Sequence, residues 1–153
     1  MNYMVNSIID KSRTTNTELE KLAKELRINL NGIYTKDMLT HIIPQKGGYI
    51  INMQDSDDGG GTHWIGIYND IVKQSKTGLK NISLAFDSFG IIPPNEVIDF
   101  MSRWSRDGIY STKQIQNVNF GGCGQYTLHF LRHMQYGKGM PRIKYNRFIR
   151  KYV

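Results

Sequence analysis

A lone cysteine, a histidine at the head of one apolar run and an aspartate at the end of another are the residues of this sequence that can do covalent chemistry together. Cys123 follows Gly121 and Gly122 and opens CGQYTLHFLRHM, whose spacing predicts a helix with Thr127, Phe130, Leu131 and Met134 on its inner face. The dipole and unpaired N–H groups of a helix N-terminus lower a thiol pKa, and the thiolate is the nucleophile. The same N–H groups can hold the oxyanion of a tetrahedral intermediate. Gly121, Gly122 and Gly124 leave room for a substrate backbone. Gln116, seven residues before the cysteine, is placed to offer a side-chain amide to that oxyanion, with Gln114 as second choice.

His63 and Asp87 meet if HWIGIY and NISLAFD are antiparallel neighbours with these two residues opposite each other. That register sets Ile65 against Ala85 and Ile67 against Ser83, and gathers Trp64, Tyr68, Ile82, Leu84 and Phe86 on one strongly apolar face. A carboxylate beside the imidazole fixes its tautomer and stabilises imidazolium. Taken singly, each residue has an ordinary structural reading: a small buried thiol, a hydrogen-bonded histidine, a turn-capping aspartate. The combination points to nucleophilic catalysis.

These residues need a scaffold, and the rest of the chain supplies one. Thr17 to Ile28 reads as an amphipathic helix opened by a Thr17/Glu20 capping box, followed by a break at Asn29 to Gly32. A second short helix is predicted from Thr35 until Pro44 stops it. Tyr49 to Met53, His63 to Tyr68 and Asn81 to Asp87 read as strands, with NDIVKQSKTGLK as a polar connection. After Pro93 and Pro94 a helix places Val97, Phe100, Met101 and Trp104 on one face. The order suits an α+β fold, a small mixed sheet flanked by helices, in one domain over 1–153. Within it 1–45 is a helical N-terminal part, 48–131 carries the motifs and 132–153 is a basic C-terminal segment.

The formal charge of +7 is uneven: from Phe100 onward ten Lys or Arg stand against Asp107 alone. Such asymmetry is a footprint for a polyanion such as DNA, with Arg142, Lys144, Arg147, Arg150 and Lys151 as contacts; the alternative is a solvated basic tail that aids solubility. No apolar run is long enough for a membrane span, no secretory signal is expected at the start, and a single cysteine excludes an internal disulfide. No metal is expected. His129 and His133 lack the Glu of a zincin motif and read as surface or partner-facing histidines. Asp55, Asp57 and Asp58 lack the bidentate Glu of a calcium loop, and glycines 59–61 lack the Gly-Lys-Ser/Thr of a phosphate loop and read as a flexible rim before His63.

GGTHWIGIY, AFDSFG, QIQN and GGCGQYTLHFL, in that order, resemble the adenovirus-type (adenain-like) cysteine proteases, including those of virophages, polinton-like elements and large DNA viruses. The resemblance spans Gly48 to Leu131. It implies a papain-like or adenain-like fold with the nucleophile at a helix N-terminus, His63 as base, Asp87 as its orienting acid, Gln116 as oxyanion donor and Cys123 as nucleophile. Trp64 would wall the substrate channel, with Gly122 and Gly124 beside the substrate. Asp87 stands where adenovirus enzymes have Glu, and resembles the related ubiquitin-like-protein proteases instead. The implied activity is cleavage of precursor capsid or core proteins during virion maturation, by a monomer inside the virion or host cell, in cytoplasm or nucleus. No cofactor is required. Without a second cysteine, an activator would be DNA or a non-covalently bound peptide. The alternatives are an acyltransferase or deubiquitinase-like member of the same clan, and a non-catalytic basic nucleic-acid-binding virion protein.

Overall fold

The centre of the fold is a long hairpin, β3 (Trp64–Gln74) and β4 (Gly78–Phe86). The structure, a computed structural model, describes residues 15–56, 63–74, 76, 78–116, 122–137 and 141–153, with only the backbone described at 141 and 142. The segment expected to be a polar connection is instead paired strand out to Gln74 opposite Gly78. Its polar groups are satisfied by distant partners. Asn69 donates to Gln45 O at 3.1 Å and accepts from the Ser83 hydroxyl at 2.7 Å. The Trp104 indole N–H is shared between Ile82 O at 2.9 Å and Asp70 O at 3.3 Å.

The hairpin register also differs from expectation. Ile67 pairs with Ala85 and Gly66 with Phe86, a displacement of two residues from the Ile65–Ala85 pairing. Because side chains alternate with period two, an even displacement leaves each one on its expected face. β2 (Gly47–Asn52) pairs antiparallel with β3, while β1 (Leu30–Thr35) and β5 (Gly108–Tyr110) add parallel edges, giving a mixed five-stranded sheet in the order β1-β2-β3-β4-β5. β1 lies where a break was expected. Its pairing accommodates a register shift between Leu30 and Gly32, and its half-exposed side chains carry little alternation to read.

Both faces of the sheet are buried, where one was expected. Ile50, Trp64, Leu84 and Phe86 meet α1 (Asn16–Glu25), α3 (Cys123–Tyr136) and α4 (Pro141–Tyr152). Tyr49, Ile51, Ile65, Ile67 and Ala85 meet a 3₁₀ helix (Lys36–His41), which replaces the expected second helix, and α2 (Asn95–Ser102). The cap of α1 is Thr15 rather than Thr17, its hydroxyl accepting from the Glu18 N–H at 3.2 Å. The solvated-tail reading of the C-terminal segment fails at α4, whose Phe148 and Tyr152 are buried in a ring cluster with Phe86 and Phe130. Among the described residues no helix is long and apolar enough to cross a membrane.

Candidate active site

The position of Cys123 is set by how closely α3 can approach β3. Residue 66 is glycine, and a Cβ there would lie 2.9 Å from Phe130 Cδ2 and 3.1 Å from Thr127 Cγ2. The Thr127 hydroxyl donates to Cys123 O at 2.8 Å, with Trp64 O as second acceptor at 3.3 Å. The first turn of α3 is thereby tied to the strand one residue beyond His63. Cys123 is the first residue of α3, Gly122 is its N-cap, and the first turn holds no acid to neutralise the positive end of the helix dipole. The fold itself does not demand glycine at 122, because a Cβ there would make only ordinary contacts with Tyr126 and Gln125. Gly124 lies buried in the first turn, whereas Gly121 and glycines 59–61 lie outside the described residues.

Asp87 follows β4 and opens the turn Asp-Ser-Phe-Gly, closed by the Gly90 N–H donating to Asp87 O at 2.9 Å. Its carboxylate is held at both oxygens: Oδ2 lies 3.0 Å from His63 Nε2, and Oδ1 accepts from the Phe89 N–H at 2.8 Å. Ser111 completes the clamp, accepting from the Asp87 N–H at 2.8 Å and donating to Asp87 O at 3.1 Å. The Phe89 ring covers the imidazole at 5.0 Å between centroids.

Burial lowers the pKa of His63, but the hydrogen bond to Asp87, the interaction with Cys123 and the negative charge of both outweigh it and raise the value to about 9. Nε2 is committed to Asp87. Nδ1 is buried with no nitrogen or oxygen partner among the described residues, which leaves it as the ring atom for Cys123. The arrangement favours an imidazolium that can give a proton from Nδ1.

Gln116 is buried 2% exposed, and its Oε1 accepts from the Ser88 hydroxyl. Ser88 O accepts from the N–H groups of Ile115 and Gln116 at 2.9 and 3.0 Å, so one turn holds both the acid and the glutamine. Gln114 is exposed and its amide donates to Gln116 O at 2.9 Å. Trp64 is 2% exposed, in the core cluster that includes Cys123. Phe89, Ser88 and Ser111 went unassigned in the sequence, although Phe89 and Ser88 lie inside the AFDSFG block.

Gly90 has φ +67°, and a Cβ on it would lie 2.7 to 2.8 Å from the backbone of Thr112 and Lys113. Gly90→Ala is therefore expected to destabilise the fold by about 2–3 kcal/mol, a melting temperature lower by roughly 5–10 °C. A change under about 2 °C in a thermal melt would show that the turn is not constrained as described.

Of the five cations expected to face DNA, Arg147, Arg150 and Lys151 share one depression with His133. Lys144 instead donates to Met134 O at 2.9 Å, and the side chain of Arg142 lies outside the described residues.

The mixed five-stranded sheet flanked by helices is a fold shared with a viral protease. Two crystal structures of the ASFV pS273R protease, the second in selenomethionine form, match the chain with TM-scores of 0.61 and 0.58 at 16% and 17% identity. Each match covers 94% of this chain and 64% of the neighbour, so the chain spans less than two thirds of that protein's length. At this identity the likeness is one of fold. No protein-family model and no curated protein matches the sequence.

Proposed function

We propose that the chain is a cysteine endopeptidase that cuts precursor capsid or core proteins of a virus. The observation that carries the reading is the His63 Nε2–Asp87 Oδ2 hydrogen bond, with Nδ1 left for a cysteine at the start of a helix. In the proposed reaction the thiolate of Cys123 attacks the peptide carbonyl, forming the S–C bond. The N–H groups at the start of α3 and the amide of Gln116 hold the oxyanion. The C–N bond then breaks as Nδ1–H of His63 protonates the leaving amine. Water, giving a proton back to Nδ1, hydrolyses the thioester and frees Cys123. Viral substrates are proposed because the motif blocks resemble adenovirus-type enzymes and the fold is shared with a viral protease.

The test is incubation with the precursor structural proteins encoded by the same genome, followed by mapping of new N-termini. Discrete cuts, together with rapid alkylation of Cys123 by iodoacetamide at pH 7 that is lost in His63→Ala, are expected. Cleavage of ubiquitin-like fusions in place of the precursors would assign the other branch of the clan. A slow, His63-independent thiol would leave a non-catalytic protein.

A further inference from the structure

On the outer side of α3 and α4 lies a depression of about 460 Å³ lined by His133, Arg147, Phe148, Arg150, Lys151 and Tyr152. Neither helix contains an aspartate or glutamate, so every formal charge these two elements bring is positive or, for histidine, titrates to positive. Arg147, Arg150 and Lys151 occupy positions i, i+3 and i+4 on one helix face, within about 6 Å along the axis. Phe148 and Tyr152 are 1% and 3% exposed and locked in the aromatic cluster, which gives the depression a rigid floor. Lys151 Nζ stands 5.1 Å from the Tyr152 ring centre and is held over that floor.

The cations act on one another. The pKa of His133 is lowered by burial and then by Lys151, His129, Arg147 and Lys144. His129 is lowered by burial and then by Lys151 and Arg132. This repulsion has no counter-charge on either helix, and a bound anion relieves it. The positive surface is also compact. Toward the start of α4 the next described cation, Lys144, is turned to Met134 O, so the side chains that open on the depression fall within a single turn. A nucleic-acid duplex is tracked by cations spread over many phosphates, whereas two Arg forks and an ammonium in one turn match adjacent phosphate groups of one small ligand.

We propose that this depression is a binding site for a compact polyphosphate group, with Arg147, Arg150 and Lys151 as donors and His133 closing the side on α3. The site lies outside the residues given to peptide cleavage and stands or falls independently of that reading.

The probe is sodium tripolyphosphate, titrated into the full chain by calorimetry at constant ionic strength. Saturable one-to-one binding is expected, weakened at least about tenfold in Arg150→Glu and in Lys151→Glu, with Lys73→Glu on the exposed side of β3 unchanged as a control for net charge. Should a charge reversal unfold the chain, Arg150→Gln and Lys151→Gln replace it, with a smaller loss expected in the same direction. Equal weakening by Lys73→Glu would reduce the effect to overall charge and overturn the site. Absence of binding by tripolyphosphate, or binding of a duplex oligonucleotide that tripolyphosphate does not displace, would also overturn it, the latter in favour of an extended nucleic-acid surface.

Discussion

Cys123→Ala is expected to abolish peptide cleavage, with turnover down on the order of 10⁴- to 10⁶-fold, while the protein stays folded. The loss is large because the chain holds a single cysteine, so no other thiol can take over the attack. The fold survives because the substitution removes one heavy atom at the start of a helix, costing about 1 kcal/mol, and alanine suits that position. The tie between α3 and β3 survives too, since Thr127 bonds the carbonyl of residue 123 and not its side chain. Peptide hydrolysis and a thermal melt measured on the same preparation check both halves. Turnover within about tenfold of the unsubstituted protein would remove Cys123 as nucleophile.

Asp87→Asn should have the next largest effect, with turnover lowered roughly 10²- to 10⁴-fold and a changed pH profile. The Phe89 N–H is a fixed donor to Oδ1, so an asparagine is expected to keep its carbonyl there and turn its NH₂ toward His63 Nε2. A donor facing Nε2 forces that nitrogen to accept, and the proton moves to Nδ1 in the neutral ring. Nδ1 could then no longer take a proton from the thiol. The sign of the pH effect follows from the same contacts. The imidazole pKa is raised to about 9, so the imidazolium is present below that pH and is lost as pH rises through it. Activity that depends on the imidazolium should therefore fall on an alkaline limb near pH 9. In Asp87→Asn the two contributions of the carboxylate vanish while burial still lowers the value, so the limb should move to lower pH. An unmoved limb in kcat/KM, with turnover within tenfold, would mean that another group orients His63.

Much of this site was legible because the two chemical residues sit at the ends of apolar runs, where only parity matters. The pairing of β3 with β4 was displaced by two residues, yet His63 and Asp87 still met, since an even slip changes neighbours and not faces. The same alternation had placed Trp64 on the apolar face with Phe86, and the core bears that out. Other parts were hidden by distance. Whether Asn69 can lie in a buried strand depends on Gln45 and Ser83, which no local window contains. Ser88 and Ser111 gain their roles from Gln116 and Asp87, 28 and 24 residues away. In α4 the basic residues dominate the composition, and the two rings that bury it, Phe148 and Tyr152, are too few to show as an apolar stripe.

The carbonyl of Tyr152 accepts from the N–H groups of Thr112 and Lys113 at 2.7 and 3.0 Å, and it is against the backbone of those two residues that Gly90 packs. Until α4 docks, Phe86 and Phe130 lack their ring partners and the segment behind the acid turn lacks its acceptor. A chain with α4 undocked thus holds His63, Asp87 and Cys123 without the buttress behind the acid turn, so their alignment belongs to the closed fold and not to the motif blocks alone.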